Sequence, residues 1–201
     1  MRSPDIEPIL AHNMSDTERR GKQVAASETI MTEMIMPNDT NPLGDLMGGN
    51  LLRWMDVAAA VCAGKNCESH VVTASVDHVS FTQRIHVGDV ITIKARVTRA
   101  FNTSVEIFVE VYSADVRGLN ARLCNSAYLT FVALNKDSRK KVAVPKVLPL
   151  TGEEQKQYER ALRRRELRLI LSGRMLPSEA EHLRSLFVLG SGGQEATEAA
   201  N

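Results

Sequence analysis

Residues 48–64 read Gly48-Gly49-Asn50-Leu51-Leu52-Arg53-Trp54-Met55-Asp56-Val57-Ala58-Ala59-Ala60-Val61-Cys62-Ala63-Gly64. The text from Gly49 to Gly64 predicts a helix, stopped by Gly64 and the polar pair Lys65-Asn66. Leu51, Leu52, Met55, Ala59 and Cys62 form one stripe at helical spacing, but Trp54, Val57, Ala58 and Val61 are apolar as well. Only Arg53 and Asp56 carry charge between the glycines. A helix that is apolar nearly all round is usually enclosed. The rest of the chain must supply what encloses it.

The flanks supply strands. A short strand is expected over residues 28–36, followed by a loop over residues 37–44 rich in Asn, Asp, Pro and Gly. After the helix come four β-branched runs, at residues 71–81, 90–98, 104–112 and 121–134. In the second, Ile91, Ile93, Ala95 and Val97 alternate with Thr92, Lys94 and Arg96; in the third, Val105, Ile107, Val109 and Val111 share one face. Gly88-Asp89 and Arg117-Gly118-Leu119-Asn120 provide turns. The joins are too short for crossover helices, so the sheet should be mostly antiparallel. The economical reading is an α+β fold, a curved five-stranded antiparallel sheet wrapped around the central helix.

The termini differ from this middle. Residues 1–27 are polar and read as a flexible arm, with neither a secretory signal nor a membrane span; Asp5, Glu7, Asp16 and Glu18 speak against an Arg-rich transit peptide. From Thr151 onward the chain turns basic. Lys156, Arg160, Arg163, Arg164, Arg165 and Arg168 are interspersed with glutamates and with Leu162, Leu167, Leu169 and Leu171. Such a helix could touch RNA or a membrane. The glutamates favour an ion-paired helix packed on its own domain or on a partner subunit. A second short helix is expected from Ser178, with Glu181 closing a capping box. The plan is thus an arm (1–27), a domain (28–145), a helical basic extension (151–189) and a disordered tail (190–201).

The 201 residues carry a formal net charge of +1, which selects no partner class and gives no reason to expect nucleic acid. Cys62, Cys67 and Cys124 are odd in number and lack C-x-x-C spacing, which argues against a disulfide framework or a zinc site and fits a reducing, cytoplasmic setting.

Asp56 borders the apolar stripe beside Leu52 and Ala60. A carboxylate there is costly unless it is paired, hydrated or useful, and partial desolvation would make it a stronger base. It could activate water or attack an acyl carbon; it could equally bond a loop or face solvent at a subunit edge. Gly48-Gly49 could present open N–H groups to a developing oxyanion, or simply form a turn that needs positive φ. Asn41 and Asp45 could orient water or substrate, or serve as turn and cap residues. Other chemistry is poorly represented. Cys62 sits on the core stripe, no Ser lies in a G-x-S-x-G elbow, and no phosphate-binding glycine loop occurs. His12, His70, His78, His86 and His182 have no metal-ligand spacing, although His78 and His86 flank a strand end that could lie near a site.

The text Met36-Pro37-Asn38-Asp39-Thr40-Asn41, Gly44-Asp45, Gly48-Gly49, Trp54-Met55-Asp56, Val71-Val72-Thr73, Phe81, Val87-Gly88-Asp89-Val90, Thr103-Ser104 and Thr130-Phe131-Val132-Ala133 resembles the hot-dog-fold acyl-CoA thioesterases. The likeness is to the branch of the bacterial YciA protein and the brain-type cytosolic acyl-CoA hydrolase, and it covers residues 28–145. It implies hydrolysis of acyl-CoA to free acid and CoA, with no metal and no cofactor beyond the CoA of the substrate. It implies homodimers, assembled into trimers of dimers, with each site drawn from both subunits. Asp56 would be the base or nucleophile, and Asp45 would come from the opposite subunit. The N–H of Gly49 would polarise the carbonyl, with Asn41 and Gly48 beside it. Thr73 and Ser75 would meet substrate. Thr103, Ser104 and the run Arg139-Lys140-Lys141 would hold pantetheine and phosphates. Asn102, where relatives are often basic, and Gln83-Arg84, where they often have a lysine-proline pair, depart from the pattern. The compact relatives offer no counterpart for the tail. Two other functions stay open: a hot-dog hydratase or dehydratase, disfavoured because no His lies within residues 38–56, and a non-catalytic acyl-CoA sensor.

Overall fold

Alternation along the strands sorts the sheet into a dry face and a polar one. The computed structural model describes residues 21–190. Its strands are β1 (Lys22–Gln23), β2 (Thr29–Met34), β3 (His70–Phe81), β4 (Val90–Ala100), β5 (Ser104–Ala114), β6 (Arg122–Leu134) and β7 (Val147–Leu148). Its helices are α1 (Gly48–Cys67), α2 (Gly152–Leu171) and α3 (Glu181–Gly190). Five strands form one antiparallel sheet in the order β2-β4-β5-β6-β3, so β2 and β3 are its edges. Ile91, Ile93, Ala95 and Val97 of β4, the odd-numbered valines and Ile107 of β5, and Ala127, Leu129 and Phe131 of β6 are all buried. α1 lies against this face through Leu51, Met55, Ala58, Ala59 and Cys62. Each large side chain withdrawn from water there contributes about 1.5–3 kcal/mol.

The enclosure of α1 is less complete than its sequence implies. Val57 and Val61 remain 43% and 46% exposed, and Arg53 is also exposed. A five-stranded sheet curves under a helix without closing over it. The helix also continues one turn beyond Gly64 and ends at Glu68, whose φ of 51° turns the chain into β3. Asn66 and Cys67 are buried in that added turn, so packing overrides the weak glycine stop.

Residues 22–26, read as part of a flexible arm, are packed. β1 pairs in parallel with β7, and Val24 joins the core. The remainder of the expected arm, residues 1–20, and the expected tail after Gly190 lie outside the described residues.

The basic extension covers the polar, outer face of the sheet. Arg164 meets Glu106 of β5 at 2.7 Å, and Arg168 meets Asp77 of β3 at 2.5 Å. The guanidinium of Arg164 also stacks over Tyr128 at 3.8 Å, and Arg99 of β4 stacks over Tyr158 of α2 at 3.9 Å. Arg164 and Arg168 are thus committed to this chain's own sheet, the packed alternative to an RNA or membrane contact. Thr151 and Glu154 form the capping box of α2. The box expected at Ser178 does not form: Pro177–Glu179 is a single 3-10 turn, and α3 starts at Glu181. Its cap is tertiary. The carboxylate of Glu166 accepts the backbone N–H groups of His182 and Leu183 at 3.2 and 2.8 Å, and it meets His182 Nδ1 at 2.6 Å. Burial pushes the Glu166 carboxyl up, but these hydrogen bonds outweigh it and hold it below the usual carboxylate range.

Candidate active site

Asp56 stands two turns along α1 on the side facing β3. Its Oδ1 accepts the hydroxyl of Thr73 at 2.7 Å. Among the described residues this is the only hydrogen bond to the carboxylate, and Asp56 stays half-buried. A carboxylate with one oxygen anchored and the other open can still accept a proton from water or meet an acyl carbon. One turn earlier on the same helix, Leu52 and Met55 join Val76, Val79 and Leu129 around an apolar cavity of about 220 Å³. Met55 precedes Asp56 directly and Leu52 lies one turn before it, so the cavity is next to the residue that meets Thr73.

The start of α1 forms a second cluster. The N-cap Met47 provides no side-chain acceptor, so among the described residues the N–H groups of Gly48 and Gly49 have no partner. Both glycines are helical, and neither has positive φ, so the turn reading of the pair fails. Gly48 lies close to Phe81: a Cβ there would meet the ring at 3.1 Å and push it by a few tenths of an ångström. A Cβ added at Gly49 would meet nothing within 4 Å, and the residue is exposed.

Asn41 and Asp45 sit beside this helix start with different commitments. The Oδ1 of Asn41 accepts the N–H groups of Leu43 and Asp45 at 2.9 and 3.2 Å. This fixes the amide orientation and leaves its Nδ2 unpaired among the described residues. The Asp45 carboxylate is already taken, by His86 Nδ1 at 2.8 Å and more distantly by Arg84 at 3.9 Å. A short antiparallel bridge between Asp45 and His86 brings the two together. A histidine absent from residues 38–56 of the sequence is therefore present beside the motif in space. Asp45 and Arg84 border a cavity of about 510 Å³ with Gly48, Leu51 and Phe81. Sequence reasoning missed the His86 and Arg84 contacts, because a two-residue ladder between irregular segments leaves no periodic signal.

The remaining candidates lie elsewhere. Thr103 and Ser104 form the β4–β5 turn. The segment after β6 returns alongside that turn, with Ala133 N–H donating to Thr103 O at 2.9 Å and Val144 N–H to Asn102 O at 3.0 Å. Arg139, Lys140 and Lys141 are exposed on the hairpin just beyond β6, and Lys141 bridges Leu134. Leu134 is the register partner of His70, so this basic hairpin lies at the same end of β3 as Thr73. Ser75 does not reach the groove: a register shift follows Thr73, and the Ser75 hydroxyl points with Asp77 toward α2.

Within one chain, Gly49 and Asp56 cannot serve one carbonyl. Seven helical residues separate them, about 10 Å along the axis at ~1.5 Å per residue. The loop cluster with Asn41 lies at the Gly49 end, next to Phe81, whereas Thr73 lies near the start of β3.

Comparison with known proteins gives the kin of this site. A family model described as the Thioesterase superfamily matches residues 43–119. Mouse acyl-coenzyme A thioesterase 11 is 39% identical over 144 residues, 72% of this chain and 24% of that protein. The chain thus spans about a quarter of the length of the first relatives it matches by sequence. Among solved structures, an apo-hexameric acyl-CoA thioesterase is 38% identical, with a TM-score of 0.73, covering 76% of this chain and 97% of that one. The Staphylococcus aureus acyl-CoA hydrolase, solved with butyryl coenzyme A, coenzyme A and coenzyme A disulfide, is 32% identical with a TM-score of 0.70; the match covers 84% of this chain and 98% of that one. Residues 1–150 alone could not supply such coverage, so the helical extension has a counterpart there, contrary to expectation. Alanine variants of the S. aureus protein at an asparagine, an aspartate and a threonine have also been solved. The two sequence intervals between those positions are the intervals between Asn41, Asp56 and Thr73 here. The fold, the near-complete coverage of that hydrolase and the shared pattern place this chain in the hot-dog-fold acyl-CoA thioesterase family of the thioesterase superfamily.

Proposed function

We propose that this chain hydrolyses acyl-CoA thioesters to the free acid and CoA. The observation that carries the reading is Asp56, anchored by Thr73 with one oxygen open, beside an apolar cavity that can take an acyl chain. Asp56 takes a proton from water as its oxygen attacks the acyl carbon; the C–S bond breaks, and the proton passes to the departing sulfur. Direct attack by Asp56, giving an anhydride that water then opens, uses the same geometry. Donors aimed at the carbonyl oxygen supply the electrostatic part of the rate.

Those donors come from a second copy. β3 is an edge strand with Val72, Val76 and Phe81 exposed, flanked by Val57 and Val61 of α1. An exposed apolar edge of this kind is a pairing surface. Two copies joined antiparallel through β3 set the Phe81 end of one against the His70 end of the other. The Gly49 N–H and Asn41 Nδ2 of one subunit then face Asp56 and Thr73 of its partner. Asp45, held by His86, supports the Asn41 loop and does not position water. Arg139, Lys140 and Lys141, beside Thr103 and Ser104, lie where phosphates of a bound CoA would emerge and hold them by charge-assisted bonds. Further assembly into trimers of dimers fits the hexameric relative. Three buried free thiols favour a reducing, cytoplasmic location.

The test is thiol release from a series of acyl-CoAs by the wild type and by Asp56→Asn. The variant should remain folded and dimeric and lose about 10²- to 10⁴-fold in kcat. Unchanged release by a folded Asp56→Asn protein would sink the reading. Acyl-CoA binding without turnover by the wild type would point to a sensor. Hydration without thiol release would point to the His86–Asp45 pair as the acid–base centre.

A further inference from the structure

We propose that the C-terminal helix takes part in substrate selection, with Arg168 as a positioning residue that fixes the wall of the acyl cavity. The inference rests on the reading of that cavity as the acyl site.

The wall in question is locally irregular. Within the chain β3 pairs with β6 and packs on α1, and its register breaks between Asp77 and Ser80. Within the break His78 has a φ of 53°, a left-handed conformation that a non-glycine residue adopts only when its surroundings hold it there. Val79, inside the break, and Val76, just before it, are two of the five cavity-lining side chains. A bulge at a sheet edge re-aims side chains, and this one aims two valines at the acyl path.

The bulge is gripped from behind. Asp77 lies between the two valines and points to the opposite face of the sheet, where its Oδ2 meets Arg168 Nη1 at 2.5 Å and the Ser75 hydroxyl at 3.4 Å. The guanidinium is itself enclosed, and it stands 4.0 Å from Glu106 Oε2. Glu106 is fully buried, and Arg164 and Thr98 hold its other oxygen at 2.7 and 2.6 Å. A chain of charge-assisted contacts therefore runs from α2 through Arg168 to the one irregular segment of the cavity wall. Cavity size selects chain length only if the wall does not yield, and Arg168 is the group that stops this wall from yielding.

The experiment measures kcat/KM for straight-chain acyl-CoAs from acetyl to palmitoyl by thiol release. The wild type should fall steeply once the chain outgrows the cavity. Arg168→Ala should flatten that fall by about tenfold, the discrimination a well-fitted apolar pocket achieves per excess group, while acetyl-CoA turnover stays unchanged. Arg168→Lys, which keeps a cation between Asp77 and Glu106, should restore most of the fall. Arg165→Ala is the control. It loosens α2 where Arg165 stacks over Phe101 at 4.6 Å, away from the bulge, and should lower Tm without altering the profile. A wild-type profile in folded Arg168→Ala overturns the inference, and so does equal flattening in Arg165→Ala. If the wild type frees no thiol from any acyl-CoA, the proposed function fails instead. Hydrogen exchange at residues 76–80 then still judges the clamp: it should quicken in Arg168→Ala and not in Arg165→Ala, and no difference between them refutes it.

Discussion

Glu106 and Asp56 are both carboxylates beside the sheet, and they are held in opposite ways. Glu106, on the outer face, has no solvent exposure and is bound through one oxygen by Arg164 and Thr98. Asp56, on the groove side, is half-buried, with one bond from Thr73. Burial alone would nominate Glu106 as the functional acid. Accessible acceptor capacity nominates Asp56, because the second oxygen of Glu106 is sealed inside the fold without a hydrogen-bond partner. A carboxylate closed to solvent and flanked by fixed cations is a structural part, whereas one with an open, accessible oxygen beside an apolar cavity remains available for chemistry.

Exchanging the two losses tests this contrast most severely. Arg164→Ala leaves Glu106 charged and buried, and in urea unfolding it should cost about 3–5 kcal/mol. Replacing both partners by leucine should recover most of that loss. Asp56→Asn should cost less than about 1 kcal/mol in the same assay, because no buried cation is left behind. If the two single variants lose equal stability, the distinction between the acids is gone. Thr73→Val sharpens the Asp56 side. It removes the hydrogen bond that orients Asp56, which water can replace in the folded state, so kcat/KM should fall by about tenfold, equal to ~1.4 kcal/mol of transition-state stabilisation, with Tm almost unchanged. A fall in Tm without a fall in rate would make Thr73 structural.

The smallest effect concerns a third acid, Glu166, which caps α3. Its carboxyl is held below the usual range, so its contribution to docking α3 is fully present above the ordinary Glu range and is lost as pH falls through the folded value. Hydrogen exchange at His182 and Leu183 should therefore quicken in acid well before the sheet amides respond. Exchange that is independent of pH there would remove Glu166 as the cap.

Much of this was legible before any coordinates. The alternation of Ile91, Ile93, Ala95 and Val97 and of Val105 to Val111 marks the dry face, because side-chain direction in a strand has period two. The helix with its lone Asp56 was legible for the same local reason. Asn41, Asp56 and Thr73 were legible as candidate site residues, and the resemblance already implied that each site draws on both subunits. Ser75 was misplaced because a register shift after Thr73 moves it to the other face. His86 was passed over because its partner Asp45 is reached through a bridge between two loops. Arg164 and Arg168 were legible as parts of an ion-paired, packed helix but not as the partners of Glu106 and Asp77, since nothing local distinguishes a helical arginine that faces water from one that faces a buried glutamate.

The amino-acid order by itself determined the elements and their apolar faces, because helix and strand periodicity act between neighbours a few residues apart. The tertiary structure alone decided which polar group met which. Glu106 with Arg164, Asp77 with Arg168 and Asp45 with His86 are pairs between segments whose relative placement follows from burying the apolar faces. Charge and hydrogen-bonding capacity are written in the sequence. Whether that capacity is consumed or left open depends on what packing brings within about 3 Å, and at Asp56 packing brings only Thr73.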